Sequence, residues 1–257
     1  MPLIALLLFL IAVPSAQASV CATTSDVSAA LPYAAGEELS YRFEFRGMAA
    51  GRAHFKLGDL ERTPYGVGYP IRADLETNAY VSFVNDMEAN FLSLLDPRSR
   101  TTRYYRSNFS DKKRGKVVDR AQGDGAKIRF KHSQGKRLKE GKFAGELIDP
   151  VSLIYGLRDL KFNSGAKVCL GMYAFSGMNR VRGRVIGLET IKTEAGPVKA
   201  WRIRLKLKRG GAIFPLHLWV GEDSTRPLWR AELHHPEGVL SVHLDRHVYG
   251  RKQIYRL

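Results

Sequence analysis

Alternation of apolar and polar residues is the feature that most constrains the fold of this chain. In Leu39–Phe45 every second residue is apolar and the residues between are polar or charged, and this period recurs in Gly51–Leu57, Trp201–Lys208 and Phe214–Val220. Successive side chains of a β-strand point to opposite faces, so these segments predict strands with one buried and one solvent-exposed face. We therefore expect an antiparallel sheet, in which a turn at Gly47–Ala50 joins the first two strands into a hairpin.

The segment from 228 to 245 predicts a hairpin whose register follows from the sequence. A turn at His235–Gly238 sets apolar residues opposite apolar residues on one face and leaves a mostly polar ladder on the other. A shift of one residue would move the apolar side chains to the wet face, so this register is well specified. The predicted pairs are His234 with Val239, Leu233 with Leu240, Ala231 with Val242, Trp229 with Leu244, Glu232 with Ser241, Arg230 with His243 and Leu228 with Asp245.

Two segments depart from the strand period. Asp149 and Pro150 precede Val151–Arg158, in which apolar residues recur at helical spacing, so we predict a short helix with Asp149 as its N-cap and Pro150 in its first turn. Ala79–Leu95 predicts either a second helix or a loop that enters a strand, and we favour the helix. The predicted fold is mainly β: an antiparallel curved sheet or half-open β-barrel with one or two short helices.

The N-terminus has the pattern of a secretory signal peptide. The uncharged run Leu3–Val13 precedes Pro14–Ala18, which ends in an A-x-A cleavage signal. A run this short does not span a hydrocarbon core, so a retained anchor is the weaker alternative and the mature chain has no predicted transmembrane segment. We expect a periplasmic protein that is cleaved after Ala18. The predicted divisions are a signal peptide (1–18), an N-terminal extension (19–30), a single antiparallel β domain (31–247) and a basic C-terminal tail (248–257).

Cys21 and Cys169 are the only cysteines, and both remain after cleavage. In an oxidising compartment a disulfide between them would tie the N-terminal extension to the body of the fold. By closing a long loop it would contribute about 4–5 kcal/mol in the chain-entropy model. Lipidation of Cys21 is the alternative, but Val20 and Ala18 stand where a lipobox prefers a small residue and a large aliphatic residue.

The formal net charge of +16 is concentrated in one block. Between Arg103 and Lys142 there are fourteen Lys or Arg residues and four Asp or Glu residues. Such a surface favours polyanions, and for an exported protein we expect anionic lipid, lipopolysaccharide or cell-wall polymer rather than nucleic acid. A basic surface that only keeps the protein soluble is the alternative. The candidates for polyanion contact are Lys112, Lys113, Arg114, Lys116, Lys136, Arg137 and Lys139.

His243, Asp245 and His247 would project from one face of a strand, where they could gather ligands around a divalent ion. The hairpin register sets Arg226 and Arg230 against them, and nearby cations disfavour another cation. We therefore interpret the trio as a charge ladder and predict no metal site and no cofactor. The sequence has no G-x-S-x-G motif, no C-x-x-C pair and no evidently paired carboxylates, so we predict no catalytic residue and a protein that is not an enzyme.

The inward faces of the predicted strands carry many aromatic side chains for a fold with one or two short helices to cover them. In a closed or half-closed barrel they would either fill the interior or line a cavity for an apolar ligand. The sequence leaves both alternatives open, and the difference bears directly on function. The candidates for core or apolar-ligand contact are Tyr41, Phe43, Phe45, Phe55, Trp201, Phe214 and Trp229.

Four phrases distributed over most of the mature chain carry a resemblance to a known family. They are Leu31–Phe43, Asp149–Arg158, Gly187–Gly196 and Leu218–Leu228. Their order and spacing are similar to those of bacterial exported proteins of domain-of-unknown-function family 3108. The resemblance implies an exported, mainly antiparallel β protein, similar to the curved half-barrels of periplasmic lipoprotein carriers, and it implies no catalytic residue.

These observations lead to the hypothesis of a periplasmic binding or envelope-maintenance protein. Its curved sheet would hold a lipid or other apolar ligand while its basic flank contacts anionic envelope polymers. The alternative is a structural or interaction module with a filled core that docks another envelope protein. An enzyme that acts on an acidic polysaccharide comes third, and it would need two facing carboxylates in a cleft.

The bridge between Cys21 and Cys169 can be tested on the denatured, unreduced mature protein. Because a disulfide consumes both thiols, we expect titration with a thiol reagent to detect no thiol before reduction and both cysteines after it. Two free thiols in the unreduced sample would contradict the bridge.

Overall fold

One long antiparallel sheet curls into a nearly closed barrel, and an α-helix packs against its inner side. The computed structural model describes residues 31–77, 87–111, 115–134, 136–174, 177–209, 212–250 and 252–256. Within these residues the prediction of a mainly β protein with a curved, half-open barrel is confirmed.

The chain crosses from one end of the sheet to the other through the helix. The strands are β1 (Glu38–Phe45), β2 (Met48–Leu57), β3 (Glu61–Thr63), β4 (Gly66–Thr77), β5 (Met87–Leu95), β6 (Thr102–Asp111), β7 (Gly115–Gly123), β8 (Lys127–Gln134), β9 (Arg137–Ala144), β10 (Lys167–Ala174), β11 (Gly177–Thr193), β12 (Gly196–Arg209), β13 (Ala212–Gly221), β14 (Leu228–His235), β15 (Gly238–Tyr249) and β16 (Lys252–Arg256). The helix α1 spans Pro150–Arg158 and begins at the predicted proline. Paired strands follow the order β10-β11-β12-β13-β14-β15-β1-β2-β4-β5-β6-β7-β8-β9, with β3 beside β4 and β16 beside β15.

The two predicted hairpins form. The β14–β15 hairpin has the predicted register from the His234–Val239 pair to the Arg230–His243 pair. The β1–β2 turn is tighter than predicted, because β2 already begins at Met48. Its two central residues, 46 and 47, have positive φ angles of 53° and 76°, as in the type I′ turns that match the twist of paired strands.

Two segments differ from the prediction. Met87–Leu95 is strand β5 rather than part of a helix, because β4 and β6 pair with it on both sides and tertiary pairing overrides the local helical spacing. Residues 78–86, the rest of that predicted helix, lie outside the described residues. Lys252–Arg256 forms β16 on β15, so the sheet continues into the segment expected to be a basic tail.

The predicted N-cap fastens the start of α1 to the sheet. One carboxylate oxygen of Asp149 accepts hydrogen bonds from the backbone N–H groups of Val151 and Ser152. The other accepts from the hydroxyl groups of Ser93 on β5 and Thr102 on β6, both at 2.6 Å. Asp149 is fully buried, and these four donors replace the water that its carboxylate loses.

Arg158 fastens the end of α1. Its fully buried guanidinium donates two hydrogen bonds to the Glu37 carboxylate, at 2.8 and 2.7 Å. It also donates to the backbone carbonyls of Pro32 at 2.8 Å and Thr225 at 2.6 Å. His247 of β15 has its Nε2 atom 2.8 Å from the same carboxylate. One buried network therefore joins α1 to the start of β1, the end of β15 and the turn that precedes β14.

Both members of the central ion pair are held in their charged forms. Burial by itself raises the pKa of Glu37, but Arg158 and His247 more than offset this and hold that pKa below its usual range. Burial likewise lowers the pKa of Arg158, and the adjacent Glu37 carboxylate raises it above its ordinary value. Each charge is thus stable in the interior only because the other is present.

Tyr173 joins the two ends of the sheet. On β10, Val168 and Leu170 belong to the main core, whereas Tyr173 belongs to a second cluster on the opposite face. Its hydroxyl donates to Asp119 of β7 at 2.5 Å, and its ring centroid lies 5.7 Å from that of Phe130 on β8. The main core covers one face of β10, and residues of β7 and β8 cover the other. The two ends of the sheet therefore overlap.

Arg158→Met should strongly destabilise the protein, because it leaves the Glu37 carboxylate buried without its partner. We expect a loss of about 3–5 kcal/mol in the free energy of unfolding, measured by urea denaturation. Arg246→Met is the matched control, since it breaks a partly exposed ion pair with Glu38 and should cost less than about 1 kcal/mol. The double variant Glu37→Leu/Arg158→Met should recover part of the loss. Equal losses in the two single variants would contradict this account of the network.

Candidate functional site

The inner surface of the barrel is the candidate site, and α1 fills one part of it. Val151, Tyr155 and Leu157 of the helix are almost fully buried and share one core cluster with Leu39 of β1 and Ile71 of β4. In this part the interior is a packed core, so a ligand could enter it only by displacing the helix.

Another part of the inner surface is apolar but only partly buried. The side chains that pack against the main core and remain partly exposed include Phe43, Leu75, Phe91, Met172, Leu207, Leu216 and Val242. Phe43 pairs with Val242 across β1 and β15. Both lie nearer the turns that join β1 to β2 and β14 to β15, away from Glu37 before β1 and His247 near the end of β15, the residues of the network that anchors α1. The helix therefore leaves an apolar surface accessible away from its anchors, which we call the open inner surface.

The predicted apolar candidates divide between these two parts. Tyr41 and Phe55 are buried in the main core, where their rings meet edge to face with centroids 5.7 Å apart. Phe45 is buried in a small separate cluster with Ala50. The partly buried candidates are Phe43, Trp201, Phe214 and Trp229. A filled core and an accessible apolar surface therefore coexist in one barrel.

A polar row crosses the inner faces of β6, β7, β8 and β9. Ser107, Asp119, His132 and Lys139 are successive cross-strand neighbours. Asp119 is 1% exposed and accepts the hydrogen bond from Tyr173, and His132 Nδ1 lies 3.6 Å from the same carboxylate oxygen. This row supports the overlap of the sheet ends. This row could not be predicted from the sequence, because the registers of β6 to β9 do not follow from their local pattern.

The predicted polyanion contacts do not share one face. Lys136 is exposed in the turn between β8 and β9, and Lys116 is exposed on the outer face of β7. Arg137 and Lys139 lie on the opposite face of β9, where the Lys139 ammonium is 5.9 Å from the centroid of the Phe130 ring. The candidates that lie outside the described residues are Lys112, Lys113 and Arg114.

The outer face of β6–β9 nevertheless concentrates positive charge. Its exposed cations, which we call the outer basic face, are Arg106, Lys116, Arg120, Lys127, Arg129, Lys131 and Lys142. Arg106, Arg120 and Lys131 are successive cross-strand neighbours, so three like charges stand side by side. Lys131 pairs with Glu140 at 2.8 Å, which offsets part of this charge. Like charges directly opposite one another are unfavourable by themselves, and an anion on this face would relieve their repulsion.

The expectation that His243, Asp245 and His247 share one face is wrong. A register shift opposite Ser40 and Tyr41 interrupts the alternation of β15. His247 is consequently buried on Glu37, whereas Asp245 accepts a hydrogen bond from Arg42 at 2.8 Å. Burial lowers the pKa of His243 and raises that of Asp245. The three side chains do not converge on one point.

Cys169 lies half-buried on β10, and its predicted partner Cys21 lies outside the described residues. The bridge between them therefore stays a prediction. None of the helices in the described ranges is long and apolar enough to cross a bilayer.

Comparison with solved structures supports the barrel. A β-barrel-like protein of domain of unknown function DUF1849 from Brucella abortus has a TM-score of 0.57 and 10% identity, over 86% of this chain and 99% of that chain. A Bacteroides fragilis protein described as exported, with a YmcC-like fold, has a TM-score of 0.38 and 13% identity, over 85% and 98% of the two chains. A Parabacteroides distasonis protein described as a lipoprotein has a TM-score of 0.34 and 10% identity, over 83% and 96%. The Brucella protein shares the fold, and at this identity the likeness extends no further.

No curated protein matches the sequence. The family described as protein of unknown function, DUF3108, matches residues 40–245, a range that runs from β1 to β15 and includes α1 with both Asp149 and Arg158. The resemblance stated from the sequence is therefore confirmed, and the chain belongs to the DUF3108 family.

Proposed function

We propose that this protein is an exported binding protein of the cell envelope that holds a lipid or another apolar chain against its open inner surface. One observation carries the proposal: α1 covers one part of the apolar inner surface, and the apolar side chains of the open inner surface remain partly exposed. Contiguous exposed apolar surface is costly in water, and in soluble proteins a large patch often marks a binding site. Each 100 Å² that a ligand covers there would contribute roughly 2.5 kcal/mol.

The anchoring of α1 gives this surface the properties of a ligand site. Because buried ionic groups hold both ends of the helix, the packed part of the barrel is rigid and does not collapse onto the open part. A ligand can then enter from the open side but cannot pass through the barrel. The signal peptide predicted at 1–18 supports export.

The outer basic face supports contact with an anionic surface. Membrane headgroups and envelope polymers carry phosphate or carboxylate groups, which would offset the row formed by Arg106, Arg120 and Lys131. In this proposal the basic face brings the protein to the envelope and the inner surface holds the apolar chain.

A second candidate function is an interaction module that docks another envelope protein. The edge strand β9 favours it, because among the described residues β9 pairs with β8 alone and its outer residues are exposed. An edge strand offers unpaired backbone groups to an added strand. Pull-down from periplasm would then recover one protein partner and no lipid.

Bound lipid should be detectable on mature protein purified from its own periplasm. We expect native mass spectrometry to show a discrete added mass that organic extraction removes. Leu216→Trp, which fills the open inner surface, should reduce the ligand-bound fraction at least about fivefold. Ile213→Trp is the control on the opposite, exposed face of the same strand, and it should leave that fraction unchanged. A bare polypeptide mass that extraction does not alter would overturn the ligand proposal and favour the interaction module.

Binding to vesicles tests the basic face separately. We expect the protein to bind vesicles that contain anionic phospholipid more tightly than neutral vesicles, and to lose this preference as salt shortens the screening length below about 10 Å. Lys116→Glu/Arg120→Glu should reduce the binding at least about tenfold. Lys192→Glu/Lys199→Glu makes the same change in net charge on the exposed β11–β12 hairpin and should have a much smaller effect. Equal binding to neutral and anionic vesicles would contradict the electrostatic part of the proposal.

A further inference from the structure

A cluster on the outer face of β13 and β14 has the composition and spacing of a metal site. His217 of β13 lies directly opposite Glu232 of β14, and His234 follows two residues later on the same face as Glu232. One potential ligand atom from each residue lies within 4.8 Å of the other two. We propose that His217, Glu232 and His234 bind a divalent transition-metal ion of the zinc class.

The donor set fits that ion. Two imidazole nitrogens and one carboxylate oxygen are a known set for zinc sites that keep a fourth position open to water. Ligands of one tetrahedral ion stand roughly 3.3 Å apart at the usual metal–nitrogen distances. Because the three side chains are half-buried on paired strands, small side-chain rotations would close the remaining distance without moving the backbone.

One imidazole nitrogen of the cluster has no hydrogen-bond partner among the described residues. It is the Nε2 atom of His234, which is inaccessible to solvent. It lies 3.8 Å from Glu232 Oε2. A buried nitrogen without a partner normally costs free energy, and a bound ion would remove that cost.

The neighbouring cations limit the affinity without blocking the site. Arg230 binds Glu232 through the Oε1 atom, which leaves the Oε2 atom directed toward His234. The guanidinium groups of Arg230 and Arg202 also lie over the Trp219 ring, 5.1 and 5.5 Å from its centroid. Arg230 therefore orients the carboxylate but competes with an ion for its charge.

The test uses mature, untagged protein that has been purified without a nickel column and stripped with a chelator. We expect one Zn²⁺ to bind per chain in competition with a chromophoric chelator, and Co²⁺ to give the visible absorption of a tetrahedral site. His217→Asn and His234→Asn should each weaken Zn²⁺ binding at least about tenfold. His54→Asn, a control on β2 outside the cluster, should not change it. Arg230→Gln should strengthen it, because it removes a competing cation.

The variants also distinguish the loss of a metal-coordinating side chain from the loss of the folded structure. Thermal melts without metal should agree for His217→Asn, His54→Asn and the parent protein, and only the parent and His54→Asn should be stabilised by added Zn²⁺. If His217→Asn does not fold, Zn²⁺ binding by His234→Asn and the Co²⁺ spectrum of the parent protein test the site instead. No stoichiometric binding by the parent protein, or equal Zn²⁺ binding by the parent and both cluster variants, would overturn the proposal.

Discussion

The buried ion pair between Arg158 and Glu37 is the interaction on which the rest of this structure depends. A guanidinium or carboxylate buried alone costs several kcal/mol, so each group is stable inside the barrel only when the other is in place. The pair brings together segments that are distant in sequence: the end of α1, the start of β1, the end of β15 and the turn at Thr225. Three of the four family phrases contribute to it, which gives those phrases a physical meaning as parts of one buried network.

The network also determines which part of the barrel interior the helix covers. With Asp149 holding one end of α1 and Arg158 the other, the helix covers a defined part of the inner surface and does not cover the open inner surface. The proposed apolar site is thus a consequence of where two charged residues anchor nine residues of helix.

Local patterns predicted the local structure well. Alternation located six of the sixteen strands in the described residues, the Asp149–Pro150 pair located the helix, and apolar pairing set the β14–β15 register. Features that depend on neighbouring strands were predicted wrongly or were not predicted. The segment Met87–Leu95 forms a strand because two partners flank it, and His247 turns inward because of a register shift opposite Ser40 and Tyr41. The cluster around His217 became visible only once β13 was paired with β14.

The sequence by itself determined the fold class, the family, the helix cap and the concentration of positive charge, because each depends on residues close together in the chain or on composition. Tertiary structure alone decided which side chains from distant segments meet. It placed Glu37 on Arg158, divided the aromatic residues between a packed core and an open inner surface, and separated Lys139 from the outer basic face. The physical reason is that strand register and sheet closure depend on contacts between distant segments, and a shift of one residue moves a side chain to the opposite face.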